Sequence, residues 1–244
     1  MSRYKNDALD ALRLLMKSKH IDIFIMKFAD YHGSETVCGH FKEIEFLSGF
    51  SGDSAMMAVT SDEAWLWADG RYFIQAEHEI RKSGVSLFKM GEEGVPTLYE
   101  YIENNIKKKG TIGFDGRLFS YSEYIKIKEI ADQKKAKTDY VCFFMDEIFV
   151  RRPPIAFNKP WILKKKYSGE PVEEKIKDVL TALKEKQAKG YILSSLYDIA
   201  WLLNMRGSDI PNVPVFFSYV YLSKIERIIF IKKDSLGFKE KDYL

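Results

Sequence analysis

The chain is predicted to be α/β, built as two units that each carry a mixed β-sheet flanked by helices, with the second unit truncated. Three observations carry that prediction. Amphipathic stretches alternate with short β-branched runs, the grammar of helices layered on a sheet. Residues 151–161, RRPPIAFNKPW, hold three of the seven prolines, and proline removes a donor and biases its predecessor away from helix, so this stretch is an extended linker. The lettering of one half also returns in the other: EFLSGFSGD at 45–53 stands against WLLNMRGSD at 201–209, and two apolar runs follow each. The units are therefore 1–157 and 158–244, related by an internal repeat of helix, strand, helix and hairpin.

The first unit opens with a helix at 7–16, where Leu9, Leu12, Leu15 and Met16 share a face. Residues 21–28, IDIFIMKF, are nearly continuous in apolar side chains, which suits a strand buried on both faces. A polar loop at 29–35 leads to a helical turn at 41–47. The chain then breaks at Gly49 and Gly52, and apolar runs at 55–60 and 64–68 are joined by Ser61-Asp62-Glu63, a hairpin signal. Asp69-Gly70 ends the second run and a helix continues to about residue 82. A strand at 85–90 and a helix at 97–107 follow, the latter with Leu98, Tyr101, Ile102 and Ile106 inward. Residues 111–115 read as a short strand, and Ser120-Tyr121-Ser122-Glu123 as a capping box that opens a helix to about 136. A last strand is expected at 140–144.

In the second unit a helix is expected at 170–187, with Pro171 tolerated in its first turn. A buried strand at 191–194, a helical turn at 198–203, a glycine break and apolar runs at 215–222 and 227–232 follow. The first unit runs on well past its hairpin; the second stops within a dozen residues of its own.

Composition narrows the function. With 46% hydrophobic and 30% charged residues the chain is a soluble globular protein, and a net charge of +3 with interspersed Lys and Glu argues against nucleic acid. The lysine tracts at 107–109 and 164–166 read as solvated surface. Two cysteines, Cys38 and Cys142, make no disulfide framework or CxxC pair, which points to a reducing, cytoplasmic setting. The first 20 residues are amphipathic and charged, unlike a signal peptide or a membrane span.

LSGFSG, the hairpin, and then WADGRYFIQAE together resemble the first domain of Xaa-Pro aminopeptidases in the creatinase/prolidase family. Residues 198–219, DIAWLLNMRGSDIPNVPVFFSY, are similar to the second domain of the three-domain members. The chain departs mildly at Phe149, where the family has a tryptophan shortly before Arg-Pro, and in its GFD turn, where the family usually has GxD followed by Pro. The resemblance implies two creatinase N-terminal-like units with a ribonuclease H-like motif. It also implies that the parent protein removes the N-terminal residue before a proline. There a metal pair, expected to be Mn²⁺, polarises the carbonyl and activates water. The ligands lie in a C-terminal catalytic domain whose motifs are not found here, so this chain is expected to hold no cofactor and no catalytic residue. Implied partners are that domain, short peptides with proline second, and a second copy in a homodimer. The alternative is a free-standing peptide- or protein-binding module that has lost peptidase activity.

Six residues are candidates for lying near substrate. His32 and Glu35 match a family pattern His-x-Ser-Glu in a loop that leads toward the cleft; a loop satisfying its own backbone donors is the competing reading. Arg71, in Asp69-Gly70-Arg71-Tyr72, can present a bidentate fork to a peptide carboxylate, or pair with Asp69 and pin the hairpin to the helix. Tyr72 leans to the structural side. Arg206 and Asp209 pose the same choice, and an arginine bonded to backbone carbonyls at a glycine turn is the simpler picture. His32, His40, Glu35, Cys38 and Glu43 form the one histidine-bearing cluster, and their spacing fits no standard zinc pattern. GFSGDS lacks the lysine of a phosphate loop and opens into a hairpin, not a helix.

Overall fold

The computed structural model describes residues 7–244. The reading of the first 20 residues as neither leader nor span falls partly on 1–6, outside the described residues. Among the described residues no helix is long and apolar enough to cross a membrane. The chain divides into two compact units, one of residues 1–35 and 39–153, the other of 36–38 and 154–244.

In the first unit the order is α1 (Asp7–Ser18), β1 (Ile23–Lys27), α2 (Glu43–Ser48), β2 (Ala55–Val59), β3 (Ala64–Ala68), α3 (Phe73–Glu79), β4 (Ser86–Lys89), α4 (Leu98–Asn105), β5 (Thr111–Gly113), α5 (Tyr121–Lys134), β6 (Lys137–Asp139) and α6 (Phe144–Ile148). The sheet runs β4-β3-β2-β1-β5-β6. β1 pairs antiparallel with β2, placing Ile25 opposite Ala58, and parallel with β5, placing Ile23 opposite Ile112. Period-two alternation then sorts the apolar side chains of β1 onto two faces. Phe24 and Met26 join Leu9, Leu12 and Met16 of α1 and Ile44 and Leu47 of α2. Ile23 and Ile25, with Ala58 and Trp67, meet Leu98 and Ile102 of α4 and Ile127 of α5. A run apolar on both sides is thus stable only because helices cover both sides.

Local chemistry explains the boundaries. Thr97 and Ser120 each complete a capping box, with Glu100 and Glu123. Gly49 ends α2 at φ 79, a left-handed value that suits glycine. At Gly52 a Cβ would sit 2.3 Å from the ring of Phe50, itself only 1% exposed. Beyond it, Ser51 donates from its backbone N–H and its hydroxyl to Glu79 at 2.9 and 2.8 Å, tying this loop to α3.

The strand expected at 140–144 is not formed. α5 stops at Lys134 because Lys135 turns left-handed, at φ 55, and the sheet takes 137–139 as β6. Tyr140 and Val141 are exposed, whereas Phe144 and Met145 are buried on a helical turn, with Phe144 5.0 Å from the ring of Phe24. Helical spacing puts both apolar residues on one side, which a strand would have split.

One polar network is buried in this unit. Arg152 forms an ion pair with Glu43, at side-chain exposures of 9% and 6%, and donates from Nε to the carbonyl of His40 at 2.7 Å. It also pairs with Asp146, which Arg117 links to Asp115. Burial pushes the Glu43 carboxyl up to about 7 from 4.5, against the opposing pull of Arg152.

The second unit contains β7 (Trp161–Ile162), α7 (Lys165–Ser168), α8 (Val172–Glu185), β8 (Gly190–Leu193), α9 (Leu196–Leu202), β9 (Met205–Arg206), β10 (Ser218–Ser223), β11 (Arg227–Ile231) and α10 (Phe238–Tyr243). Two points differ from expectation. The three-stranded sheet β11-β10-β8 is antiparallel throughout, not mixed, and β7 and β9 pair antiparallel in a separate two-stranded sheet. β8 is also not buried: Tyr191 and Ile192 are exposed, since β8 is an edge strand covered on one face. That face packs Leu193, Val220 and Leu222 against Ile176 of α8 and Ile199 and Leu202 of α9.

Two predictions follow from the first unit. Gly52→Ala is expected to lower unfolding stability by about 1–3 kcal/mol, because the buried Phe50 ring must move; a urea melt with an unshifted midpoint would contradict this. Glu43 binds its proton more tightly folded than unfolded, so its contribution is full below about pH 4.5 and is lost as pH rises through about 7. Stability of the wild type relative to Glu43→Gln should therefore fall by about 3 kcal/mol between pH 4.5 and 7.5. Parallel pH profiles in the two proteins would refute the assignment.

Candidate functional site

At one end of the six-stranded sheet the last residue of β1, the first residues of β2, the loop at 28–35 and the turn after β3 converge. They enclose a cavity of about 350 Å³, whose lining includes Lys27, Glu35, Asp53, Met56, Arg71 and Met90. The topology explains the meeting place. β1 runs antiparallel to β2, so the exit of β1 lies beside the entry of β2.

Glu35 and Arg71 are thus brought to one cavity. Glu35 is exposed, and among the described residues its carboxylate has no hydrogen bond or ion pair. Arg71 is 68% exposed and pairs through Nε with Asp69 at 2.8 Å, which also accepts its backbone N–H at 3.0 Å. This contact lowers the Asp69 pKa and raises that of Arg71. The terminal guanidinium nitrogens of Arg71 make no bond among the described residues, so the fork remains open.

Tyr72 does not line the cavity, but its hydroxyl donates a short hydrogen bond to Asp53, which does. That bond, more than the slight burial, raises the tyrosine pKa. The Arg71 guanidinium lies 5.4 Å from the Tyr72 ring, so Tyr72 positions both neighbours. Lys27 is neutralised by Glu123 at 2.8 Å. Among the described residues the groups left open are the Glu35 carboxylate and the terminal nitrogens of Arg71, beside the Asp53 carboxylate that accepts from Tyr72. Such a pair can hold opposite ends of a dipolar ligand.

His32 is not among the cavity's lining residues. Its backbone N–H and that of Ser34 both donate to Asp30 Oδ1 at 2.9 Å. The loop is thus held by Asp30, a buried carboxylate at 1% exposure, and not by Ser34 or Glu35. Asp30 escaped the sequence reading, although an aspartate just before a polar glycine loop is an Asx-turn signal. Asp53 and Lys27 carried no local signal, for only the pairing of β1 with β2 brings them to the loop.

Arg206 and Asp209 lie in the second unit with backbone partners. Arg206 donates to the carbonyls of Ala200 and Met205 at 2.7 and 2.9 Å. Asp209 is 3% exposed and accepts the N–H groups of Asn158 at 2.6 Å and Phe217 at 2.8 Å. Burial raises its pKa, against those two bonds. Among the described residues no group of three or more His, Cys, Asp and Glu is placed to hold a metal ion.

A mixed sheet covered by helices on both faces, followed by a second unit that repeats its opening, defines an α/β domain pair. The chain belongs to the creatinase/prolidase N-terminal domain family: residues 9–140 match one family model of that description and 151–244 match another. It is 37% identical over 98% of its length to a probable Xaa-Pro aminopeptidase P of Pyricularia oryzae, of which it covers 39%. It is 33% identical over 97% of its length to Xaa-Pro aminopeptidase 1 of Dictyostelium discoideum, again covering 39%. The chain therefore spans about two fifths of the relatives it matches. A crystal structure of X-prolyl aminopeptidase from Caenorhabditis elegans, described as a cytosolic enzyme with a di-nuclear active site, superposes with a TM-score of 0.93 at 29% identity. The match covers 97% of this chain and 40% of that one.

The contrast between the two sets of candidates is testable. Arg71→Ala and Glu35→Ala should each change the unfolding free energy by less than about 0.5 kcal/mol, as exposed side chains with little to lose. Asp209→Ala leaves the buried N–H of Phe217 and the part-buried N–H of Asn158 without their acceptor and should cost about 2–4 kcal/mol. A reversal of that order in thermal melts would overturn the division.

Proposed function

We propose that this chain is the non-catalytic N-terminal region of a metal-dependent Xaa-Pro aminopeptidase, one that removes the N-terminal residue before proline. In this reading the catalytic domain and its metal pair, expected to be Mn²⁺, lie outside residues 1–244, in a cytoplasmic enzyme. The two units wall the cleft, restrict it to short peptides and support assembly, including a homodimer. The observation that carries the reading is the convergence on one cavity of Glu35, unpaired among the described residues, and of Arg71, whose terminal nitrogens are left unbonded beside its ion pair with Asp69. Residues kept for stability would be paired, as Asp209 is. Glu35 suits the ammonium end of a peptide, and the Arg71 fork suits a carboxylate or a backbone carbonyl.

The chain's own chemistry is then binding and positioning. No residue described here acts on a scissile bond, and the metal's role of polarising a carbonyl belongs to the absent ligand set. Two measurements test this. Residues 1–244 purified with Mn²⁺ should not hydrolyse Xaa-Pro peptides; chelator-sensitive turnover that copurifies with the chain would refute the proposal. In the complete enzyme, Arg71→Ala and Glu35→Ala should lower kcat/KM on Xaa-Pro peptides by about tenfold each, the loss of one charge-assisted contact. Unchanged kinetics in both would remove these residues from the cleft. A reading frame that ends without a peptidase domain would favour the free-standing binding module instead.

A further inference from the structure

The first unit carries another pocket, of about 480 Å³, whose lining contains neither Glu35 nor Arg71. It lies where the chain leaves β5 and β6 and enters α5. Its walls are mostly rings: Phe114, Phe119, Tyr121, Tyr124, Tyr140 and Phe143. Phe114 is fully buried, whereas Tyr121 and Tyr140 are 77% and 52% exposed. Local chemistry fixes these walls. The capping box of Ser120 and Glu123 starts α5, and spacing by three makes Tyr121 and Tyr124 neighbours on its surface. Beyond β6, Phe114 and Gly116 donate their backbone N–H groups to the carbonyls of Asp139 and Tyr140 at 2.9 Å each. Tyr140 is thereby held beside α5, where its ring meets that of Tyr124 edge to face at 5.7 Å.

Among the described residues the lining carries one charge, Arg117, and that charge is committed. Its guanidinium pairs with Asp115 and Asp146 and lies 3.9 Å from the centre of the Phe143 ring. A pocket with no open charge suits an uncharged ligand. The hydroxyls of Tyr121, Tyr124 and Tyr140 make no hydrogen bond among the described residues, so three donors are free.

Three peptide shapes compete for an apolar wall with free hydroxyls. A helix bonds its own carbonyls except in its last turn, and so offers few acceptors. An added strand would pair with β6, the edge of the sheet, but β6 reads Lys-Thr-Asp, and charges on an edge discourage pairing. A polyproline II segment has no internal hydrogen bonds, so its carbonyls are free, and it docks in grooves lined by aromatic rings.

We propose that this pocket binds a proline-rich segment of a partner polypeptide in the polyproline II conformation. Proline rings lie against Tyr121, Tyr124 and Tyr140, and the tyrosine hydroxyls donate to the carbonyls of the segment. Such a segment is stiff before it binds, so little ordering remains to oppose association. The inference goes beyond the proposed function and does not rest on it.

Titration calorimetry of residues 1–244 with decaproline tests it. The peptide is acetylated and amidated, so it offers no charged end to Glu35 or Arg71. It should bind at least about tenfold more tightly than capped peptides of equal length, one alanine-rich and helical, the other of glycine and serine. Tyr121→Ala and Tyr140→Ala each remove an exposed ring and should weaken binding about tenfold with the melting temperature unchanged. Tyr124→Phe keeps the ring, loses the hydroxyl and should weaken it about threefold. No binding up to about 1 mM decaproline, or equal affinity for the three peptides, would overturn the inference. Tighter binding of the alanine-rich peptide would overturn it in favour of a helix. Decaproline binding that survives both alanine variants would place the peptide elsewhere and overturn it too. Self-association of the wild type in sedimentation that Tyr140→Ala abolishes would give the pocket to a second copy, against the proposal. Every one of these results leaves the proposed function to its own test, hydrolysis by the complete enzyme.

Discussion

A β-strand that is apolar on both faces is stable only when both faces are covered, and the architecture follows from that constraint. β1 is the clearest case, with Ile23 and Ile25 on one side and Phe24 and Met26 on the other. Each side chain fully withdrawn from water contributes about 1.5–3 kcal/mol, so neither face can be left bare at small cost. Residues of α1, α2, α3 and α6 seal one face, and those of α4 and α5 seal the other. The same strand type in the second unit is sealed on one face only, which is why two units with one grammar have different surfaces.

The cavity is a consequence of the same sheet. Because the exit of β1 lies beside the entry of β2, the loop that leaves β1 and the loops that flank the hairpin crowd one end of the sheet. Backbone needs there are met by Asp30, Asp69 and Glu79, each accepting local N–H donors. Glu35 and the terminal nitrogens of Arg71 are left over from that accounting. Charges left open at the rim of a well-ordered domain are suited to binding, since their supports are already fixed and little ordering remains when a ligand arrives.

The polar interior of the first unit works differently. Arg152, Glu43, Asp146, Arg117 and Asp115 form a chain of contacts that joins the segment after the polar loop to the end of the unit. Desolvation of Glu43 offsets much of the attraction within the pair, so the network's contribution is to geometry more than to net stability. It holds the carbonyl of His40 and α6 in place, which keeps the last turn of the unit against the core.

The sequence by itself determined the repeating order of elements and the capping boxes at Thr97 and Ser120. It also determined the family, because these are carried by local periodicity, by single-residue backbone preferences and by contiguous motifs. It misplaced the strand after α5, since a short apolar run does not distinguish a strand from a helical turn until its burial partner, Phe24, is known. It singled out Glu35 and Arg71 but not Asp30, Asp53 or Lys27, and it could not say that His32 stands outside the cavity. Those facts depend on the antiparallel pairing of β1 with β2, which brings residues some twenty to forty positions apart to one rim. Exposure of β8 was likewise decided only by tertiary structure: an apolar strand is written the same way in sequence whether or not a neighbour covers it.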